Sequence, residues 1–213
     1  MWIRFVNIFT KITGWPLQLV LFRTKIHYED KSLQGRKIKG PAIIVSNHTS
    51  IFDYAVYMFV FIGRTLRCLM AEVLFEKPFL RGLLRSLGGI RVDRNAMDMG
   101  FLADAEDILS TGGIVEIFPE GRLPLPGEER PLEFRSSAAY LALATGAKII
   151  PVYTDGSYFA KKRAHVIIGL PFDSGLVENR GLTQPEQISE LTGICRQRII
   201  GLEKLLDEQK KTV

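Results

Sequence analysis

Cysteine and histidine are scarce in this chain: 213 residues hold two cysteines and three histidines. Cys68 and Cys195 lie far apart and form no C-x-x-C pair, which argues against a metal site or a redox motif. Without a disulfide framework, a reducing cytosolic setting is expected. There is no serine elbow of the G-x-S-x-G type, so nothing points to an acyl-enzyme. Long apolar runs are also missing. Residues 54–62 (YAVYMFVFI) are too few to span a bilayer, which takes about 20. The start carries Arg4 and an apolar stretch, but no small-residue cleavage site follows, so a secretory leader is not expected. Zinc-finger spacing and base-stacking signatures are absent, which sets nucleic acid aside as a partner.

What is present reads as globular. Apolar residues make up 46 % of the chain and charged residues 24 %, enough for a real core. The length suits one domain, or one domain with a small appendage. The net charge of +5 is compatible with an anionic membrane surface, phosphorylated substrates or an acidic protein partner.

Residues 1–22 (MWIRFVNIFTKITGWPLQLVLF) are dominated by large apolar side chains, and Gly14-Trp15-Pro16 breaks the pattern. The segment therefore reads as two short helices. Its tryptophans and basic residues have the chemistry of an interfacial anchor, and a hairpin packed on the domain is compatible with that. A polar connector from His27 to Lys39 follows. Beyond it, strand-like segments at 41–46, 66–70, 90–92, 114–118, 148–153 and 165–168 alternate with helix-like ones at 51–62, 78–87, 98–109, 135–144 and 185–209. The last helix carries Ile188, Leu191, Cys195, Ile199, Leu202 and Leu206 on one stripe. This alternation predicts an α/β sheet with helices on its faces. Sites in such sheets gather at the carboxyl ends of strands.

Three such ends carry chemistry. Asn47-His48-Thr49-Ser50-Ile51-Phe52-Asp53 follows the run Ala42–Ser46. Five helical residues turn the chain by roughly 500°, so His48 and Asp53 would not share a helical face. From just before the helix, however, the His48 ring can fold back to the Asp53 carboxylate and become an oriented base. The alternative is a capped turn with a surface histidine. Phe118-Pro119-Glu120-Gly121-Arg122 closes the strand at 114–118, either as an anion-binding turn or as an ordinary β-turn. Gly88-Gly89-Ile90-Arg91-Val92-Asp93-Arg94 pairs glycines with two arginines, either to hold a phosphate or as a solvated cluster. His27 lies in the polar connector and His165 in a strand, neither with a chemical role, and Lys161-Lys162-Arg163 reads as a solvated basic face, the alternative being a receiver of an acidic carrier protein or anionic lipid.

In this order, the motifs resemble the lysophosphatidic acid acyltransferase family (1-acylglycerol-3-phosphate O-acyltransferases). The family's blocks look like Asn47-His48 to Asp53, then Gly89 to Arg94, then Phe118-Pro119-Glu120-Gly121, then Ile149-Ile150-Pro151-Val152. The resemblance implies a mixed central sheet flanked by helices, glycerolphosphate acyltransferase-like, over 27–213. It also implies an N-terminal two-helix membrane-associating hairpin over 1–26. It further implies that His48, oriented by Asp53, takes the proton of a lysophospholipid sn-2 hydroxyl, which attacks an acyl thioester directly. Backbone N–H groups near Gly121 would stabilise the oxyanion and Glu120 would shape the site. Arg94 would contact the acceptor phosphate, with Asn47, Arg91, Arg122 and Arg135 also on the substrate side.

Two blocks depart from the family pattern. Glu120-Gly121-Arg122-Leu123 stands where Glu-Gly-Thr-Arg is usual, and Phe134-Arg135-Ser136-Ser137 stands where Phe-Lys-x-Gly is. Both touch acceptor identity more than acyl transfer.

No metal or cofactor is implied beyond the donor, acyl-CoA or acyl-ACP; under the second option acyl carrier protein is a partner. Residues 1–22 would place the chain peripherally or monotopically on the cytoplasmic face of the cell membrane. Rival readings keep the chemistry on glycerol-3-phosphate or another lysolipid, or keep only lipid binding. For a metallohydrolase, His48 and Asp53 are too few ligands.

Overall fold

A computed structural model describes residues 1–93, 99–159, 163–178 and 180–211. Helix α1 (Trp2–Leu21) is followed by β1 (Lys25–Tyr28), β2 (Ala42–Ser46), α2 (Asp53–Val60), β3 (Leu66–Ala71) and a 3₁₀ turn at Glu72–Phe75. Then come α3 (Pro78–Leu87), β4 (Gly89–Val92), α4 (Gly100–Ser110), β5 (Ile114–Ile117) and α5 (Ser137–Thr145). The chain ends with β6 (Lys148–Thr154), β7 (His165–Ile168), α6 (Gly175–Glu178) and α7 (Gln184–Lys211).

The seven strands form one mixed sheet in the order β1-β7-β6-β2-β5-β3-β4. Every neighbouring pair is parallel except β6 with β7. β2 lies at the centre, and all five of its residues are buried. Its side chains alternate between two cores, as a strand's must. Ile44 points into the core beneath α2, with Leu66, Met70 and Ile150. Ile43 and Val45 point into the core beneath α4, α5 and α7, with Leu102, Leu141 and Ile199. Both faces are covered, so β2 is apolar without a polar alternate face. Each fully buried isoleucine contributes about 1.5–3 kcal/mol. The α7 stripe read from the sequence is buried: Leu191, Cys195 and Ile199 face this second core, while Leu202 and Leu206 pack with Ile167 in a separate cluster. Both cysteines are free and buried.

Gly88 ends α3 at φ +111°, and a Cβ there would lie 2.7 Å from the Leu66 carbonyl oxygen, so the chain turns directly into β4.

The N-terminal segment is one helix, not the expected hairpin. Pro16 sits inside α1, where it removes one backbone hydrogen bond without ending the helix. Gly14 is not a break but a contact. A Cβ at that position would lie 2.9 Å from the Phe59 ring, which packs there. Asn7 and Lys11 then tie the helix to the domain: Asn7 donates to the Leu87 carbonyl (3.0 Å) and Lys11 to the Arg64 carbonyl (2.7 Å). No helix among the described residues is long and apolar enough to cross a membrane.

The polar connector also differs from expectation, because it opens with β1. This short strand pairs in parallel with β7 at the sheet edge. His27 is buried there and shares a hydrogen bond of 2.9 Å with His165. Burial lowers the pKa of both rings.

Candidate active site

The carboxyl ends of β2, β5 and β6 are neighbours in the sheet, and the site is built on all three. The Ser46 hydroxyl is hydrogen-bonded to the Tyr57 hydroxyl of α2 in the buried interior. Next, Asn47 clamps β2 to β6. Its amide donates to the Thr154 carbonyl (2.8 Å) and its carbonyl accepts the Thr154 N–H (2.9 Å). Both ends of this side chain are thus engaged with the protein, on the substrate side of the resemblance though it is.

His48 follows at the edge. Its Nδ1 lies 2.8 Å from Asp53 Oδ2. Asp53 is wholly buried and opens α2. Its carboxylate also accepts the N–H of Thr49 (2.7 Å), the Thr49 hydroxyl (2.9 Å) and the N–H of Ser50 (2.9 Å). The two residues share no helical face; the turn between them is wrapped around the carboxylate. A carboxylate with only donors around it holds the Nδ1 proton and leaves Nε2 as the basic nitrogen. The His48 side chain is 20 % exposed.

β5 supplies the other wall. The Phe118 ring stacks on His48 with centroids 4.3 Å apart. Glu120 is buried, and its carboxylate accepts the backbone N–H of His48 (2.8 Å) and of Leu132 (3.0 Å). Gly121 sits at φ +69°, and its N–H donates to the Phe118 carbonyl (3.0 Å), closing the turn. That N–H is therefore engaged in the turn rather than presented to an oxyanion. The positive φ favours glycine, and the Arg135 side chain packs against it, with Nε 2.7 Å from where a Cβ would stand.

An apolar cavity of about 350 Å³ opens beside this wall. Leu69, Leu102, Ile117 and Phe118 line it, with Arg135 and Ser136 among its polar residues. The remaining arginines from the sequence stand elsewhere. Arg122 forms a two-pronged ion pair with Glu128 (2.7 and 2.7 Å), which holds the Glu128 carboxyl down at about 2. Arg91 pairs with Asp93 (3.3 Å) on the sheet-edge strand β4. Arg94 lies outside the described residues. Among the described residues, no group of three or more His, Cys, Asp or Glu side chains is placed to hold a metal.

Three buried groups behind the site have no counterpart in the sequence reading. Tyr158 hydrogen-bonds Thr154 Oγ1 (3.0 Å), and burial followed by the charge of Asp53 raises its pKa. Tyr57 is likewise raised, chiefly by burial. Glu116 of β5 sits in register between Ile44 and Cys68, wholly buried, and neither oxygen has a hydrogen-bond partner among the described residues. Burial and then the Asp53 charge push its pKa well above the usual carboxylate value. Its only sequence signal is a lone acid inside an apolar strand.

A family model described as Acyltransferase matches residues 23–155. Human 1-acyl-sn-glycerol-3-phosphate acyltransferase beta is 32 % identical over 153 residues, covering 70 % of this chain and 54 % of that protein. The 1-acyl-sn-glycerol-3-phosphate acyltransferase of Borreliella burgdorferi is 28 % identical over 174 residues, covering 76 % of this chain and 66 % of that protein. The chain thus spans between half and two thirds of the length of these curated relatives. The crystal structure of the 1-acyl-sn-glycerophosphate (LPA) acyltransferase PlsC from Thermotoga maritima shares the fold, with a TM-score of 0.65 at 19 % identity over 95 % of this chain and 79 % of that one.

Proposed function

The chain belongs to the acyltransferase family, and on that premise we propose that it transfers an acyl group from a thioester to the sn-2 hydroxyl of lysophosphatidic acid, giving phosphatidic acid. One observation carries the reading: a histidine whose Nδ1 is held by a buried carboxylate stacks on Phe118, a wall of an apolar cavity. A base thus stands next to a space that fits a hydrocarbon chain. The relatives named as acylglycerol-phosphate acyltransferases support the acceptor class.

In the proposed step, His48 Nε2 takes the proton of the acceptor hydroxyl as its oxygen bonds to the thioester carbonyl carbon. The tetrahedral intermediate then collapses, the C–S bond breaks, and the thiolate leaves with the proton from the His48 imidazolium. Asp53 stabilises that imidazolium. General base catalysis of this kind contributes about 10²–10⁴-fold. Glu120 acts by holding the His48 main chain, and Arg135 brings positive charge beside the Gly121 turn. No cofactor enters the scheme, and the donor is acyl-CoA or acyl-ACP. Residues 1–22 associate with the cytoplasmic face of the membrane as a peripheral helix.

An acceptor panel tests the reading. Lysophosphatidic acid, glycerol-3-phosphate and other lysophospholipids are offered with one acyl-CoA, and the products are identified by mass spectrometry. Phosphatidic acid as the main product supports it. Acylation of glycerol-3-phosphate or of another lysolipid keeps the chemistry and changes the acceptor. Binding without product leaves a lipid-binding protein.

A further inference from the structure

Helix α1 is built inside out. Asn7, Lys11 and Gln18 are buried, while Phe5, Phe9, Ile12 and Val20 are 58–72 % exposed. A helix facing water shows the opposite arrangement. Apart from the buried Lys11, residues 1–28 also contain Arg4, Arg23 and Lys25 and no Asp or Glu. An apolar face with only positive charge around it fits an anionic bilayer surface.

The helix ends in a cluster of rings. Phe22 caps α1 and packs on two partly exposed rings, Phe159 (5.4 Å) and Phe52 (6.3 Å), which meet each other at 4.9 Å. Both rings sit next to residues of the site. Phe52 precedes the buried Asp53, with the 70 % exposed Ile51 before it. Phe159 follows Tyr158, whose ring packs edge-on against Phe22 at 5.6 Å. In each pair one side chain faces the interior and its neighbour faces out. Phe159 is held at φ +59°, a region phenylalanine disfavours, and its N–H donates to the Leu21 carbonyl (3.2 Å). The end of α1 therefore fixes this outward ring.

We propose that Ile51, Phe52 and Phe159 form an entry sill, set into the bilayer surface by α1, over which a single-chain lipid acceptor reaches His48. The occupant is the lipid surface. The place of these exposed apolar side chains at the end of α1, whose outer face is apolar, carries that choice, and Arg23 and Arg163, joined by an Arg163 Nε to Arg23 carbonyl bond of 3.0 Å, add positive charge beside the cluster. The destination of the lipid rests on the acyl-transfer reading; the membrane contact does not.

Two measurements on the full chain test this. In the first, Phe159→Trp is made in a Trp2→Phe, Trp15→Phe background and mixed with anionic vesicles whose acyl chains are brominated. The expected result is blue-shifted, quenched fluorescence from the introduced indole. Bound protein whose indole emission is neither shifted nor quenched would overturn the sill. In the second, Phe159→Asn, which tolerates positive φ, is assayed with long-chain lysophosphatidic acid in vesicles and with a short-chain soluble analogue. The long-chain to short-chain ratio of kcat/KM is expected to fall about fivefold or more; an unchanged ratio would overturn the proposal. If the wild type acylates no acceptor, the catalytic reading fails, and quenching at position 159 still decides the sill.

Discussion

The Glu120 carboxylate holds His48 by its main chain: one oxygen accepts the His48 backbone N–H at 2.8 Å and the other accepts the Leu132 N–H at 3.0 Å. Both bonds go to the main chain, so Glu120 acts on the base by positioning it. Glu120→Gln can accept only one of those N–H groups well. Removing a buried acceptor costs about 1–3 kcal/mol. The variant should lose stability by that order and lower kcat, with the acceptor KM changed less than twofold. A tenfold rise in acceptor KM at unchanged kcat would show that Glu120 acts on the substrate instead.

Asp53→Asn should be more damaging. Asp53 accepts from His48, from two backbone N–H groups and from the Thr49 hydroxyl. An amide places donors against donors and favours the wrong imidazole tautomer. Turnover should fall about 10²–10⁴-fold, with a lower Tm. Turnover within threefold of wild type would remove Asp53 from its orienting role.

Glu116 gives a prediction in pH. Its folded pKa is raised well above 4.5 by burial, so the folded state holds a proton that the unfolded state has released. Stability therefore falls as pH rises above about 4.5, until the folded pKa is reached. Glu116→Gln removes that dependence. The variant should be more stable than wild type at pH 7–8 in urea titrations, by a margin that grows from pH 5 upward. A margin that does not change with pH would contradict a protonated Glu116.

Arg122 is engaged by Glu128, two bonds at 2.7 Å. Arg122→Ala should change the acceptor KM less than twofold. A tenfold rise would mean that Arg122 leaves Glu128 for the acceptor phosphate.

The sequence made legible what is local and strongly patterned. Helix Pro78–Leu87 with its glycine stop and strand His165–Ile168 fall where periodicity puts them, and the strand end before His48 was visible from the run Ala42–Ser46 alone. β1 was hidden because an edge strand as short as Lys25–Tyr28 has room for little alternation, and its charged and imidazole side chains mask what there is. The break expected at Gly14-Trp15-Pro16 failed because Gly14 serves a contact with Phe59, about which local propensity is silent. The roles of Glu120 and Asn47 depend on partners 72 and 107 positions away, and no spacing rule reaches that far. Arg122 resembled a ligand arginine until its pairing with Glu128, a side chain unremarkable in sequence, was seen.

The most direct test of the account is thiol release from an acyl-CoA with and without lysophosphatidic acid, comparing wild type with His48→Ala. The account predicts release that requires the acceptor and falls at least 10²-fold in the variant. Acceptor-dependent release at the wild-type rate from His48→Ala would contradict it.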